Sequence, residues 1–72
     1  MTRHDVIFSQ FIRLLGEHFR TERRVNWYAK QLCLTPKYLS EAIKLISKRT
    51  PNEWIDDYVV LEIRVQLKNS TK

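Results

Sequence analysis

The sequence is poor in the residues that interrupt or cross-link a chain. It contains one glycine, two prolines and one cysteine among 72 residues. So few breaks leave little room for the turns of a β-fold, and a single cysteine excludes an internal disulfide and a cysteine-based metal cluster within one chain. This length suits one domain with a small core. We therefore expect residues 1–72 to form a single all-α domain.

Long apolar runs are missing as well. No stretch approaches the roughly 18 consecutive apolar residues of a membrane span, and the first residues lack a basic segment followed by an apolar one. Together with the single cysteine, these absences predict a cytoplasmic protein with no membrane partner.

Groups suited to catalysis or metal binding are also scarce. Asp56 and Asp57 are adjacent, so on a helix their side chains diverge by about 100° and cannot share one substrate. No sequence feature places beside Cys33 a base that could activate its thiol, and we expect Cys33 to be a small, half-buried turn residue. His4 and His18 have no third ligand placed near them. We expect no enzyme activity, metal or cofactor.

What the chain has in excess is positive charge. Its formal net charge is +5, with a pI near 9.7. Lys and Arg exceed Asp and Glu by six over residues 20–49, equal them over 1–19 and fall one short over 50–72. Such a balance favours an anionic partner, either nucleic acid or an anionic membrane surface, and places the contact within 20–49.

Apolar spacing predicts four helices, over about 5–19, 25–32, 36–47 and 51–68. The first has Asp5 as its expected N-cap, and the fourth begins with a capping box formed by Thr50 and Glu53. The core stripe of the first helix comprises Phe8, Phe11, Ile12, Leu15 and Phe19. The residues available for packing on the fourth are Trp54, Ile55, Tyr58, Leu61 and Val65. The aromatic residues Trp27, Tyr28, Trp54 and Tyr58 are open to a base-stacking role, but their helical spacing favours packing.

The middle of the chain carries the strongest local signals. A turn at Cys33 and Leu34, with Leu34 pointing inward, separates the second helix from a third that Thr35 caps and Pro36 opens. The core side of the third helix comprises Leu39, Ala42, Ile43 and Ile46. Its opposite side carries Lys37, Ser40, Glu41 and Lys44. Two helices joined by a tight turn are typical of the helix-turn-helix, which presents its second helix to the DNA major groove.

An ordered series of residues extends this pattern over nearly the whole chain. It runs through Phe11-x-x-Leu14-Leu15-x-x-His18-Phe19, Trp27-Tyr28-Ala29-x-x-Leu32, Leu34-Thr35-Pro36-x-Tyr38-Leu39-Ser40, and Thr50-Pro51-x-Glu53-Trp54-Ile55 with Tyr58. This series resembles the first half of an AraC/XylS-family DNA-binding domain. The resemblance implies a homeodomain-like, four-helix helix-turn-helix subdomain with a long C-terminal linker helix. Double-stranded DNA is the implied partner, and a second helix-turn-helix unit would follow the linker.

The resemblance also implies which residues contact DNA. The base-contacting set comprises Lys37, Ser40 and Glu41, with Lys44 extending the same row. The phosphate-contacting set comprises Thr35, Tyr38, Arg23, Arg24 and Lys30. The chemistry fits in part, because Lys can donate to guanine and Ser to several base edges, whereas an ionised Glu accepts only from cytosine N4 and repels phosphate.

Several residues depart from the family pattern. Glu41 stands where relatives commonly carry a basic residue, and Lys48 stands where glycine usually ends the third helix in a left-handed conformation. Ile63, Val65 and Gln66 alter the outer turns of the fourth helix. Two functions therefore remain open. One is the sequence-specific DNA-binding module of a transcriptional regulator, completed by a homodimer partner or the missing second unit. The other is a truncated helical protein-interaction or dimerisation module without useful DNA binding.

Overall fold

A computed structural model describes the backbone of residues 2–70 and the side chains of residues 2–64. It contains four helices, α1 (Arg3–His18), α2 (Val25–Gln31), α3 (Pro36–Ser47) and α4 (Pro51–Ser70). No strand occurs over residues 2–70. The all-α class is confirmed. The expectations for Val65 and Gln66 concern side chains that lie outside the described residues.

The core lies where α1, α2 and α3 meet the first half of α4. Its buried members are Ile7, Phe11, Leu15, Tyr28, Ala29, Leu39, Ala42, Ile43 and Ile55. The predicted stripes of α1 and α3 supply five of these nine residues, whereas four other stripe residues are only half-buried: Phe8, Ile12, Phe19 and Ile46. Tyr28 is in the core, and Trp27, Trp54 and Tyr58 pack against it, as the helical spacing of these aromatic residues predicted.

The start of α1 differs from the prediction. Its N-cap is Thr2 and not Asp5. The Thr2 hydroxyl accepts the Asp5 backbone N–H at 3.2 Å, and the Asp5 carboxylate accepts the Thr2 backbone N–H at 3.2 Å. This is a reciprocal capping box with Asp at the third helical position, so the helix begins earlier than expected. The hydrogen bonds from Thr2 hold the pKa of the Asp5 carboxyl below its ordinary value.

A tight turn joins α2 to α3. The Leu34 N–H donates to the Ala29 carbonyl at 2.8 Å, and the Cys33 N–H donates to the Lys30 carbonyl at 3.1 Å. These are the two bonds of a Schellman motif, which requires one left-handed residue, and Cys33 supplies it with φ of 60°. Leu34 packs against the core as predicted. Cys33 is exposed, so its expected half-burial is wrong, because the left-handed residue lies at the outer corner of the turn.

The third helix has the predicted start and an unusual end. Thr35 caps it by accepting the Tyr38 N–H at 3.1 Å, with Pro36 in the first turn. At the other end the Lys48 N–H donates to the Lys44 carbonyl at 2.9 Å, with Lys48 at φ of 65°. Lys48 therefore adopts the left-handed conformation that glycine enters without steric cost.

Side-chain contacts fix the corner between α3 and α4. The Thr50 N–H donates to Glu53 at 2.8 Å and the Glu53 N–H donates to the Thr50 hydroxyl at 3.2 Å, which confirms the predicted capping box. The Trp54 indole N–H donates to the Ser47 hydroxyl at 2.9 Å. Arg49 lies over the Trp54 ring, 5.0 Å from its centroid, and pairs with Asp57.

The outer half of α4 departs from the expected packing. Leu61 was expected to be available for packing, but it is 61% exposed and is not among the residues that pack against the core. Ile55 is buried and Val59 packs against the core, which fixes the inward side of α4. Leu61 follows Ile55 by six residues, about 240° further around the helix, and therefore faces away. No helix within the described part of the chain has both the length and the apolar content to cross a membrane.

Candidate nucleic-acid interface

The outward side of α3 carries a row of charged side chains. Taking about 100° per residue, the direction opposite the buried Leu39, Ala42 and Ile43 passes through Lys37, Glu41, Lys44 and Lys48. All four are exposed. Ser40 is half-buried at one flank. Three of the four predicted base-contacting residues therefore lie in the centre of the face, and Ser40 lies at its edge.

Lys48 was not predicted as part of this row. It follows the last helical residue, and its left-handed conformation decides where the side chain leaves the helix end. The signal available in the sequence was its spacing, because Lys48 comes one helical turn after Lys44. The row therefore contains three lysines and one glutamate, and spans about 16 Å at 1.5 Å per residue.

The charges of this row are not paired with one another. Among residues 2–64 no ion pair within 4.0 Å involves Lys37, Glu41, Lys44 or Lys48. Residues 20–49, the basic segment, also contain two paired arginines: Arg20 pairs with Glu62 at 2.9 Å and Arg49 pairs with Asp57. Lys37, Lys44 and Lys48 are thus exposed, have no ion pair among residues 2–64, and are available to an anionic partner.

Leu45 adds an apolar element that was not predicted from the sequence. Its side chain is 56% exposed, and it lines a shallow groove with Glu41, Lys44 and Lys48. On the helix it lies about 110° from the centre of the buried stripe, so periodicity could have placed it outside the core. An exposed aliphatic group beside lysines can contact the methyl group of thymine.

The predicted phosphate-contacting residues come from three segments. Arg23 and Arg24 are exposed just before α2, and the Arg23 Nε donates to the Phe19 carbonyl at 3.4 Å. Lys30 is exposed in the last turn of α2. These side chains precede the turn that leads to α3, and their phosphate-contacting role stays a prediction.

Two of the predicted phosphate-contacting residues, Thr35 and Tyr38, also make contacts within the protein. The Thr35 hydroxyl oxygen accepts the Tyr38 N–H, which leaves the hydroxyl hydrogen to donate. Tyr38 is half-buried, packs against the core and lies 6.0 Å from the His4 ring, measured between centroids. The first turn of α3 is therefore held in place by its cap and by α1.

The remaining polar groups have structural surroundings. Within the described residues, no group of three or more His, Cys, Asp or Glu side chains is arranged to hold a metal ion. His18 is half-buried against the Trp27 ring, 4.8 Å between centroids. Asp57 pairs with Arg49, and the hydrogen bond from Arg49 holds the pKa of the Asp57 carboxyl below its ordinary value.

Comparisons of the chain with protein-family models, with curated proteins and with solved structures give no match.

Proposed function

We propose that α2, the turn at 32–35 and α3 form a helix-turn-helix unit that places α3 in the major groove of double-stranded DNA. In this proposal α4 is the linker helix of an AraC/XylS-type half-domain, and the protein is a cytoplasmic transcriptional regulator. The observation that carries it is the exposed row of Lys37, Glu41, Lys44 and Lys48, with no ion pair within residues 2–64.

The dimensions and charge of α3 support this proposal. A helix with its side chains is about 10–12 Å wide and the major groove is about 12 Å wide. A row of about 16 Å covers four to five base pairs at about 3.4 Å each. Lys37 lies near the start of α3, the end that contacts base edges in such units, whereas Lys48 lies at the opposite end.

Glu41 should influence both the base preference and the DNA affinity of α3. Its carboxylate lies in the centre of the row, where it can accept a hydrogen bond from cytosine N4 but repels phosphate. Replacing it by glutamine removes the repulsion and provides an amide that pairs with adenine. We therefore expect Glu41→Gln to raise affinity for DNA of mixed sequence and to shift the preferred base from cytosine towards adenine.

The experiment is an amide-shift NMR titration with a mixed-sequence duplex at about 50 mM and about 200 mM salt. Shifts should concentrate on residues 35–44 and 20–24, and they should weaken at the higher salt concentration. Lys37→Ala should change which sequences bind, by about 1–3 kcal/mol at the affected base. Arg24→Ala should lower affinity on every duplex and reduce the salt slope by about 1.

Arg13→Ala is the matched control. Arg13 is an exposed cation on α1, outside the basic segment, so its loss changes net charge as much as Arg24→Ala does. If Arg13→Ala weakens binding as much as the α3 and loop variants, the attraction is non-specific. Shifts scattered without regard to α3, or absent at low salt, would exclude base reading by this helix.

A second candidate function is a helical protein-interaction module. The observation that favours it is the exposure of Val60, Leu61 and Ile63 on α4, at 47%, 61% and 52%. Apolar side chains this exposed on one element are typical of a surface that another protein covers. For this function the acid at Glu41 carries no cost, because α3 does not approach phosphate.

A further inference from the structure

We propose that the outward face of α4 binds the same face of a second copy of this chain. The two helices run antiparallel about a two-fold axis that passes between Val60 and Leu61. This inference deepens the second candidate function and rests on it, and it is independent of DNA binding by α3.

The face is defined by four side chains at helical spacing. Asp57, Val60, Leu61 and Arg64 lie at i, i+3, i+4 and i+7 and line one shallow groove on α4. Val60 and Leu61 lie about 140° and 240° around the helix from the buried Ile55. The groove therefore lies on the side of α4 that faces away from the core, where a second helix can approach without displacing α1 or α3.

The centre of the face is apolar and exposed. Val60 is 47% and Leu61 61% exposed, and Ile63 beside them is 52% exposed. In the antiparallel arrangement Val60 of one copy lies opposite Leu61 of the other, and the symmetry axis repeats the contact. Both side chains thus become covered by apolar partners, which gains the free energy of removing them from water.

The charges at the two ends identify the occupant. Asp57 and Arg64 flank the apolar pair, one at each end of the groove. An antiparallel second copy brings its Arg64 to Asp57 and its Asp57 to Arg64, which makes two opposite-charge pairs from one surface. A parallel arrangement would instead place Asp57 on Asp57 and Arg64 on Arg64. The face is self-complementary under a two-fold axis, as an isologous interface requires.

The interface is small, so the dimer is expected to be weak. Four side chains from each copy cover less area than a standard interface of about 800 Å² on each partner. Asp57 also keeps its contact with Arg49 within the same copy. We therefore expect a dissociation constant in the range of about 10 μM to 1 mM, where association depends visibly on protein concentration.

The first test is sedimentation equilibrium on the whole chain from about 10 μM to 1 mM. The apparent mass should rise from 8.7 kDa towards twice that value. Val60→Lys should raise the dissociation constant at least about tenfold, because it places two lysines beside each other across the axis. Val6→Lys is the matched control, since Val6 is a 39% exposed valine on α1, and it should leave association unchanged.

The second test uses charge reversal to detect the antiparallel pairing. Asp57→Lys alone and Arg64→Asp alone each place like charges at both ends of the face, so each variant by itself should be monomeric. Mixed together they restore two opposite-charge pairs, so the mixture should associate again. Circular dichroism checks that Asp57→Lys stays folded after losing its contact with Arg49. Val60→Lys and Arg64→Asp alter the face without breaking the contact between Arg49 and Asp57.

Three results would overturn the inference. A strict monomer at about 1 mM removes self-association. A dimer that Val60→Lys and Arg64→Asp leave intact uses another face, in which case the interaction-module function survives and this interface does not. Failure of the two folded charge-reversal variants to associate when mixed excludes the antiparallel pairing.

Discussion

Tyr28 offers a test of the fold through the pH dependence of stability. Its side chain is fully buried and its hydroxyl donates to the Glu22 backbone carbonyl at 2.7 Å. Burial, with a smaller contribution from the Glu22 carboxylate, raises the pKa of Tyr28 to about 12. Tyr28→Phe keeps the ring and removes both the hydrogen bond and the titration.

At neutral pH we expect Tyr28→Phe to lower the free energy of unfolding by about 1 kcal/mol, the usual net value of one hydrogen bond. A half-buried carbonyl left without its donor can raise this loss towards about 2 kcal/mol. The wild type is therefore the more stable protein at neutral pH.

The difference should shrink in alkali. Unfolded Tyr28 loses its proton at its ordinary pKa of about 10, whereas the folded protein holds that proton up to the raised value. Between these values the unfolded state binds fewer protons, so the stability contributed by the neutral hydroxyl falls as pH rises. Two pKa units correspond to at most about 2.7 kcal/mol, and because the hydrogen bond of the hydroxyl is only partly buried, solvent screening reduces this to about 1–2 kcal/mol.

The assay is chemical denaturation of both proteins, followed by helical circular dichroism, at intervals from about pH 8 to pH 12. The two proteins differ only at residue 28, so the difference between them isolates the Tyr28 hydroxyl. We expect the wild-type advantage to be constant up to about pH 10 and then to vanish or reverse. A gap that stays constant throughout, or one that widens, would refute the assignment of a buried, neutral hydroxyl to Tyr28.

Three further predictions concern the ends of α3 and α4. Ser47→Ala should lower the free energy of unfolding by about 1–2 kcal/mol, because it removes the acceptor of the Trp54 indole, and urea denaturation measures this. Lys48→Gly should raise the free energy of unfolding by about 0.5–1 kcal/mol, because glycine adopts the left-handed conformation without strain. Lys44→Gly, within the helix, is the control and should lower the free energy of unfolding by about as much. A change of the same sign in both variants would contradict this reasoning. The hydrogen bond from the Thr50 backbone N–H lowers the pKa of the Glu53 carboxyl. The stability that the ionised carboxylate contributes is therefore present above its ordinary pKa of about 4.3, and it should be lost as pH falls through the lower pKa of the folded state. Glu53→Gln removes this titrating carboxyl, so the melting temperature of the variant should fall less than that of the wild type as the solution is made acidic. An equal fall in both proteins would exclude the capping box as a source of the loss of stability in acid.

Helix starts were predictable where one local signal dominates. Thr35 accepts a bond from its own chain three residues on, so the start of α3 depends little on tertiary contacts. The same holds for Thr50 and Glu53 at α4. At α1 the sequence offers two suitable caps, Thr2 and Asp5. The capping box that joins them selects Thr2, and an aspartate at its third position is a weaker sequence signal than a glutamate.

The outer face of α4 was less predictable, because apolar residues occur on more than one side of that helix. Ile55 and Val59 face the core, whereas Val60 and Leu61 face away from it. Either stripe has helical spacing, and the choice between them depends on where the other helices cross α4. Spacing therefore made Leu61 a candidate for packing, and the position of the other helices leaves it exposed.

Helical periodicity alone predicted that the exposed side of α3 carries Lys37, Glu41 and Lys44. The buried stripe of α3 is unbroken, so the opposite side follows from about 100° per residue. Lys48 and Leu45 were missed for different reasons. Lys48 was treated only as the end of the helix although its spacing continues the row, and Leu45 is an aliphatic residue at the flank of the buried stripe. Contact of this face with bases stays a prediction.

The fold divides the charge of the basic segment into two parts. Arg20 and Arg49, near its two ends, pair with the α4 acids Glu62 and Asp57. These contacts join the segment to α4, and because each pair is partly exposed to solvent, each is worth little energy by itself. The other cations of residues 20–49 are exposed and have no ion pair within residues 2–64: Arg23, Arg24, Lys30, Lys37, Lys44 and Lys48. The net charge of residues 20–49 taken from the sequence therefore overstates the attraction available to an anion, and the salt slope of binding should reflect the unpaired cations alone.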